Sequence, residues 1–104
     1  IHGEDIYDGV WANFSLLHAP KNEFKFHVKA LYKILKPNGF FNIGMKLGKG
    51  EKRDPIGRFY AYYTEIELTE ILRNAGLDVC ETYYGEEMGL IGSIEPWIML
   101  RLTK

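Results

Sequence analysis

Asn13, Ser15 and His18 stand close together in YDGVWANFSLLHAP, the stretch from Tyr7 to Pro20. An imidazole exchanges a proton near neutral pH, so His18 could accept one from a nucleophile or contact a substrate. The alternative is a histidine that caps a turn or bonds a backbone carbonyl. The Asn13 amide or the Ser15 hydroxyl could hydrogen-bond the carboxylate or amine of a cofactor. Polar groups at a strand end also bond backbone, and both uses stay open.

A second group lies between Lys46 and Arg58, a stretch with five basic residues and three glycines. A guanidinium suits a planar anionic group, which is the chemistry Arg53 and Arg58 could offer. The stretch is not a phosphate loop: GKGEKR lacks the Walker A spacing, and no helix follows directly. A solvated, flexible loop is the competing reading. Tyr60, Tyr62 and Tyr63 follow, as stacking surface or as core. His2, His18 and His27 have no metal-ligand spacing and Cys80 is the single cysteine, so no metal site is expected. Cys80 reads as a small buried apolar residue, and Glu86–Glu87 as a solvated turn. No Ser–His–acid arrangement is present.

The elements that position these groups follow from periodicity. Val10, Trp11, Ala12 and Phe14 make an apolar run, which predicts a buried strand from Tyr7 to Phe14. Its polar carboxyl end is where an open α/β sheet places a ligand. Phe24, Val28, Leu31 and Leu35 form one stripe, which predicts a helix from Lys21 to Leu35 with Lys25, Lys29 and Lys33 on the solvated side. Lys36–Pro37–Asn38–Gly39 stops it. A strand over Phe40–Lys46 comes next. Thr64-Glu65-Ile66-Glu67 is a capping box. The helix it opens runs to Asn74 or Ala75, with Ile66, Leu68, Ile71 and Leu72 inward and Gly76 as its stop. Leu77–Tyr84 is expected as a strand, Gly85–Ile94 as a mobile connection and Trp97–Leu102 as the last strand. The fold class is therefore α/β, in the order β-α-β-α-β-β, with parallel strands across the helices and an antiparallel final pair.

Composition sets outer bounds. With 104 residues, 46% hydrophobic and 14% aromatic, the chain can build one compact core. A net charge of −1 gives no electrostatic reason to expect nucleic acid or an anionic membrane as partner. No apolar run approaches the roughly 20 residues of a membrane span, and no signal peptide is visible. One cysteine excludes an internal disulfide and favours a reducing compartment, hence a cytoplasmic location. An opening Ile1 instead of Met reads as a piece of something longer.

Three blocks carry a resemblance: YDGVWANFSLLHAP, LYKILKPNGFFNIGMK and RFYAYYTEIELTEILRNAGLDV. Together they resemble the second half of a class I S-adenosylmethionine-dependent methyltransferase. LKPNGFF is the most specific part and SLLH the next. The resemblance implies a partial Rossmann-like sheet, residues 1–104 forming the C-terminal half of the domain. It implies S-adenosylmethionine as cofactor and a small-molecule acceptor. It places Asn13, Phe14, Ser15 and Leu17 along the methionine end of the cofactor, and His18 near the methyl-transfer site. Arg53, Asp54, Arg58 and Tyr60 would border the acceptor. The family's Gly-rich first loop and its ribose-binding acid have no counterpart here, so weak or no cofactor binding is expected of this chain alone. The Tyr7–Phe14 strand would lack a neighbour on one side. That predicts a homodimer through this edge, or a partner supplying the missing N-terminal half. The competing reading is a non-catalytic half-domain serving as a structural or interaction module.

Overall fold

The computed structural model describes residues 7–14, 16–88 and 94–104. Strand β1 (Tyr7–Asn13) leads through a short 3-10 turn (Leu16–His18) into helix α1 (Lys21–Ile34). Strand β2 (Leu35–Lys46) follows, then a small hairpin of β3 (Glu51–Arg53) and β4 (Phe59–Ala61). Helix α2 (Glu65–Asn74) and strands β5 (Asp78–Met88) and β6 (Ile94–Thr103) complete the chain. The main sheet has the order β1-β2-β6-β5. β1 runs parallel to β2, while β6 lies antiparallel to both β2 and β5. This is the expected α/β order with one addition, the β3–β4 hairpin inside the basic stretch.

One face of the sheet holds the core. Phe41, Ile43 and Met45 of β2 alternate inward, as do Ile98, Leu100 and Leu102 of β6. That period of two turns one side of each strand toward the helices. Phe24, Val28, Leu31 and Ile34 of α1 and Leu68 and Leu72 of α2 meet them in a single buried cluster. Each such large side chain contributes about 1.5–3 kcal/mol by leaving water. Tyr63 and Tyr60 belong to this core as well, Tyr63 packing against Phe24 with ring centroids 4.9 Å apart.

Local chemistry sets the element ends. The Thr64 hydroxyl accepts from the Glu67 amide at 3.2 Å, and the Glu67 carboxylate accepts from the Thr64 amide at 3.0 Å. Both bonds of the capping box are thus made. Helix α1 passes straight into β2: Leu35 is already extended (φ −76°, ψ 137°) and pairs with Tyr7. The expected Pro-Asn-Gly stop sits inside β2 as a bulge, because the register jumps from Tyr7–Leu35 to Gly9–Phe40. Asn38 takes a left-handed conformation there (φ 67°). Gly39 is required by close approach: a Cβ would lie 2.8 Å from the Lys36 carbonyl and 3.0 Å from that of Asp8.

Five expectations are corrected. Ile66 points to solvent, 73% exposed. Two residues from Leu68 along a helix is more than half a turn, so it leaves the Leu68–Leu72 stripe. Cys80 is exposed. It sits at a register shift between Val79 and Glu81 on the outermost strand, which breaks the inward alternation. Within the connection expected over Gly85–Ile94, Gly85–Met88 and Ile94 are strand, paired from Gly85–Trp97 to Met88–Ile94, and residues 89–93 lie outside the described residues. Glu86 and Glu87 are accordingly strand residues, not a turn. The stretch after Lys46 is hairpin, not open loop.

Candidate functional site

The site begins where β1 leaves the sheet. Phe14 adopts a left-handed backbone (φ 58°), a conformation that costs a non-glycine residue about 1–3 kcal/mol. Three contacts hold it: its amide donates to the Gly44 carbonyl at 2.9 Å, its ring lies on Gly44, and it meets Trp97 edge-on at 6.1 Å. A Cβ on Gly44 would begin 3.0 Å from the Phe14 ring, so a side chain there would push the ring back by a few tenths of an ångström. This reversal swings the chain into the 3-10 turn that carries His18.

His18 is exposed and anchored. Its Nδ1 lies 2.7 Å from the Phe59 carbonyl oxygen. A carbonyl can only accept, so Nδ1 carries the proton and, in the neutral ring, Nε2 is left as an acceptor. The imidazole also rests on the Tyr60 ring, centroids 4.6 Å apart. Strand β4 thus fixes both the tautomer and the ring plane.

Tyr60 is the centre of the cluster. Beside His18, the Lys46 ammonium lies 4.7 Å and the Arg58 guanidinium 5.6 Å from its ring centroid. Lys46 ends β2. Its Nζ donates to Glu95 at 2.5 Å and stands 3.7 Å from Glu87. Burial pushes the Lys46 ammonium downward, but the bond to Glu95, the Glu95 charge, Tyr60 and Glu87 outweigh it, and its pKa is raised. Sequence reasoning missed this pairing. The only signal was the position of a lysine at the carboxyl end of a parallel strand.

The hairpin tip is closed by its own groups. Asp54 accepts from the amides of Ile56 at 3.1 Å and Arg58 at 2.9 Å, and from Arg58 Nε at 2.6 Å. Arg53 donates to the Gly57 carbonyl at 2.8 Å and covers the Phe59 ring. Partial burial raises the Asp54 carboxyl, yet the Arg58 amide and guanidinium overcome it and hold the group below the usual carboxylate range. The same bond to Asp54 raises Arg58.

Of the residues singled out in the sequence, the structure therefore gathers His18, Tyr60 and Arg58 around one ring, with Arg53 and Asp54 at the tip beyond. Leu17 is buried in the core, so only its backbone is free to meet a ligand. The exposed Asn13 does not join the cluster: it lines a depression with Trp11, Asn42 and Arg101 on the face away from the core. Ser15 and His2 lie outside the described residues. Among the described residues, no group of three His, Cys, Asp or Glu side chains could hold a metal ion. No described helix is long and apolar enough to cross a membrane.

Solved structures share the fold of this chain. A Burkholderia thailandensis 1,6-didemethyltoxoflavin-N1-methyltransferase, with 1,6-didemethyltoxoflavin and S-adenosylhomocysteine bound, matches with a TM-score of 0.80 at 22% identity. A Methanosarcina mazei S-adenosylmethionine-dependent methyltransferase matches with a TM-score of 0.82 at 16% identity. The chain has the fold of part of a class I S-adenosylmethionine-dependent methyltransferase domain. These matches cover 100% and 97% of this chain but only 46% and 60% of the other two, so this methyltransferase fold is about half their length. The cyclase SpnF matches over 99% of this chain and 51% of its own, with a TM-score of 0.72 at 17% identity. No protein-family model and no curated protein matches the chain. The His18–Tyr60–Lys46 cluster lies at the carboxyl ends of the parallel strands β1 and β2, the edge at which open α/β sheets in general bind ligands.

Proposed function

We propose that residues 1–104 form one unit, the acceptor-facing portion of an S-adenosylmethionine-dependent methyltransferase acting on a small molecule. The observation that carries this reading is the concurrence of two facts. The fold matches part of solved methyltransferases along this chain's own length, and the chain's anchored polar groups gather where the parallel strands β1 and β2 end. The residues fit one end of the cofactor. The exposed Asn13 amide and the left-handed backbone at Phe14 offer polar atoms suited to an amino-acid group, with Ser15 and the Leu17 backbone in the same stretch. The sequence supplies no Gly-rich turn for the adenosine end.

When bound, the cofactor supplies an electrophilic methyl group. The chain's own part is positioning and proton handling. His18 Nε2 is oriented to take a proton from an acceptor's nucleophile. The buried Tyr60 ring backs the His18 imidazole and holds it toward the acceptor instead of meeting the acceptor itself. Arg53 and Arg58 flank the mouth, Arg58 with its Nε already committed to Asp54. Orientation of this kind supplies much of the rate in a transfer with a strict in-line geometry.

The test is calorimetric. S-adenosylhomocysteine is titrated into the 104-residue chain and into the same chain joined to the polypeptide encoded ahead of Ile1. The chain alone is expected to bind weakly or not at all, and the longer protein to bind. A longer protein that binds no cofactor defeats the proposal. A micromolar dissociation constant for the chain alone defeats the incompleteness of its site.

A second reading is a non-catalytic half-domain serving as an interaction module. It is favoured by the edge at β1, which pairs with β2 alone among the described strands and leaves Trp11 64% exposed. Such an edge invites pairing with a second copy or with a missing half. The exposed free thiol of Cys80 fits a reducing compartment such as the cytoplasm.

A further inference from the structure

The two helices expose opposite chemistry. In α1 the core takes Phe24, Val28 and Leu31, while Phe26, Lys29 and Lys33 share the arc turned away from them. Phe26 is 59% exposed there, with the Lys25 ammonium 5.3 Å from its ring centroid. The ion pairs of the described residues include none of Lys25, Lys29 and Lys33. Like charges four residues apart weaken a helix, so this row stands against its own repulsion.

The other margin of the molecule is acidic and apolar. Helix α2 turns Ile66 and Glu70 outward, four residues apart. The Tyr84 hydroxyl donates to Glu65 at 2.6 Å, which sets Ile66 beside β5. Tyr84 lies opposite the buried Ile98 and therefore faces the helix side of the sheet. Glu86 and Met88 alternate onto the same side. Tyr84 and Met88 are 60% and 70% exposed. Strand β5 contains no lysine or arginine, and among the described residues Glu70 and Glu86 pair with no cation.

Each surface complements the other: an aromatic anchor among lysines, and an apolar patch among carboxylates. They do not meet within one molecule. β1 and β5 end the strand order on opposite sides, α1 follows β1, and α2 leads into β5. Contact of either surface with its own counterpart sets like charges together.

We propose that copies of this chain associate head to tail, the Phe26 arc of one seated on the Ile66–Tyr84 patch of the next. Such a contact is heterologous and builds a ring or an open series instead of stopping at two. It is separate from the β1 edge and weaker, because exposed ion pairs add little. It stands on exposure and charge and does not depend on the catalytic reading.

The experiment is sedimentation equilibrium of the 104-residue chain carrying Trp11→Lys, which silences the β1 edge. This protein is expected to be monomeric at tens of micromolar and to grow beyond a dimer at about 500 micromolar, as a contact of sub-millimolar affinity would. Phe26→Ser or Ile66→Ser, each added to that background, is expected to abolish the growth. Both positions are solvent-exposed, so neither change opens the core. Mixed in equal amounts, the two variants are expected to form dimers and nothing larger, since one keeps its α2 patch and the other its α1 arc. Raising the salt from about 0.05 to about 0.5 M is expected to weaken association about five-fold by screening. A Trp11→Lys chain that stays monomeric overturns the proposal. So does growth that stops at the dimer, a single variant that still associates alone, or a mixture that stays monomeric. Association indifferent to salt overturns the pairing of lysines with carboxylates.

Discussion

The Nδ1–H of His18 donates to the carbonyl oxygen of Phe59, tying the end of the first strand to the hairpin across 41 residues of chain. The bond does two jobs, holding the hairpin and aiming Nε2 outward. In a catalytically complete protein, His18→Ala should lower the methyl-transfer rate about 100-fold, in the range of lost general-base catalysis. His18→Asn, which can still donate toward Phe59, should restore the melting temperature but not the rate. Cofactor affinity should stay within a factor of two or so in both variants. Recovery of the rate with His18→Asn would make the residue a structural anchor only.

Lys46 and Glu95 form the most buried ion pair of the site, with side chains 13% and 25% exposed. Removing Glu95 leaves the ammonium with Glu87 alone. Glu95→Gln should cost about 1–3 kcal/mol, the range for an under-satisfied buried charge. The pH dependence has a definite sign. The folded-state pKa of Lys46 is raised above its ordinary 10.5, so its stabilisation is fully present below that value and lost as pH rises through the folded value. Melting curves from pH 8 to 12 should converge for wild type and Lys46→Met at the alkaline end. Parallel curves would mean the pair contributes nothing.

At the hairpin tip the sign reverses. Asp54 is held below its ordinary 3.8, so its contribution is present above that value and lost as pH falls through the lower folded value. Asp54→Asn should loosen the tip at neutral pH, seen as faster amide exchange at Ile56 and Arg58. Arg53→Ala should instead weaken acceptor binding, with cofactor affinity nearly unchanged. Equal losses for both ligands would assign Arg53 to folding.

The free edge of β1 gives a prediction about assembly. Its seven residues contain no lysine or proline to discourage pairing. The chain should therefore self-associate at tens of micromolar, an ordinary range for an interface of about micromolar affinity. Trp11→Lys or Ala12→Pro should dissociate it in sedimentation. A monomeric wild type, or an oligomer that survives both changes, would remove the edge from consideration.

What the sequence disclosed was the chemistry of near neighbours. The Thr64–Glu67 box and the Phe24–Val28–Leu31 stripe are written within a few residues, where spacing alone implies contact. Lys46 and Glu95 are 49 residues apart, and nothing local in either neighbourhood announces the other. The β3–β4 hairpin was hidden because strands of three residues, one of them wholly polar, have no period to detect. Cys80 was misjudged because a bulge resets the alternation on which burial was inferred. The left-handed turn at Phe14 was hidden for a different reason. Nothing about phenylalanine favours it, and it exists only because Gly44 and Trp97 leave it a berth.

The junction between α1 and β2 determines where this chain can be lengthened. Ile34 is helix and Leu35 is strand, with no residue between. The bulge beyond is pinned by Tyr7 opposite Leu35, by the Lys104 amide on the Gly39 carbonyl at 3.0 Å, and by Lys104 Nζ on the Leu35 carbonyl at 2.8 Å. A single inserted residue between 39 and 41 would turn Phe41, Ile43 and Met45 out of the core together, because a strand has period two. Ile56 is 69% exposed at the hairpin tip, where the described backbone bonds run among the tip's own residues and not to the main sheet. An epitope or a fluorescent reporter should be carried there, and a circular permutation opened there, whereas neither would survive at residue 40.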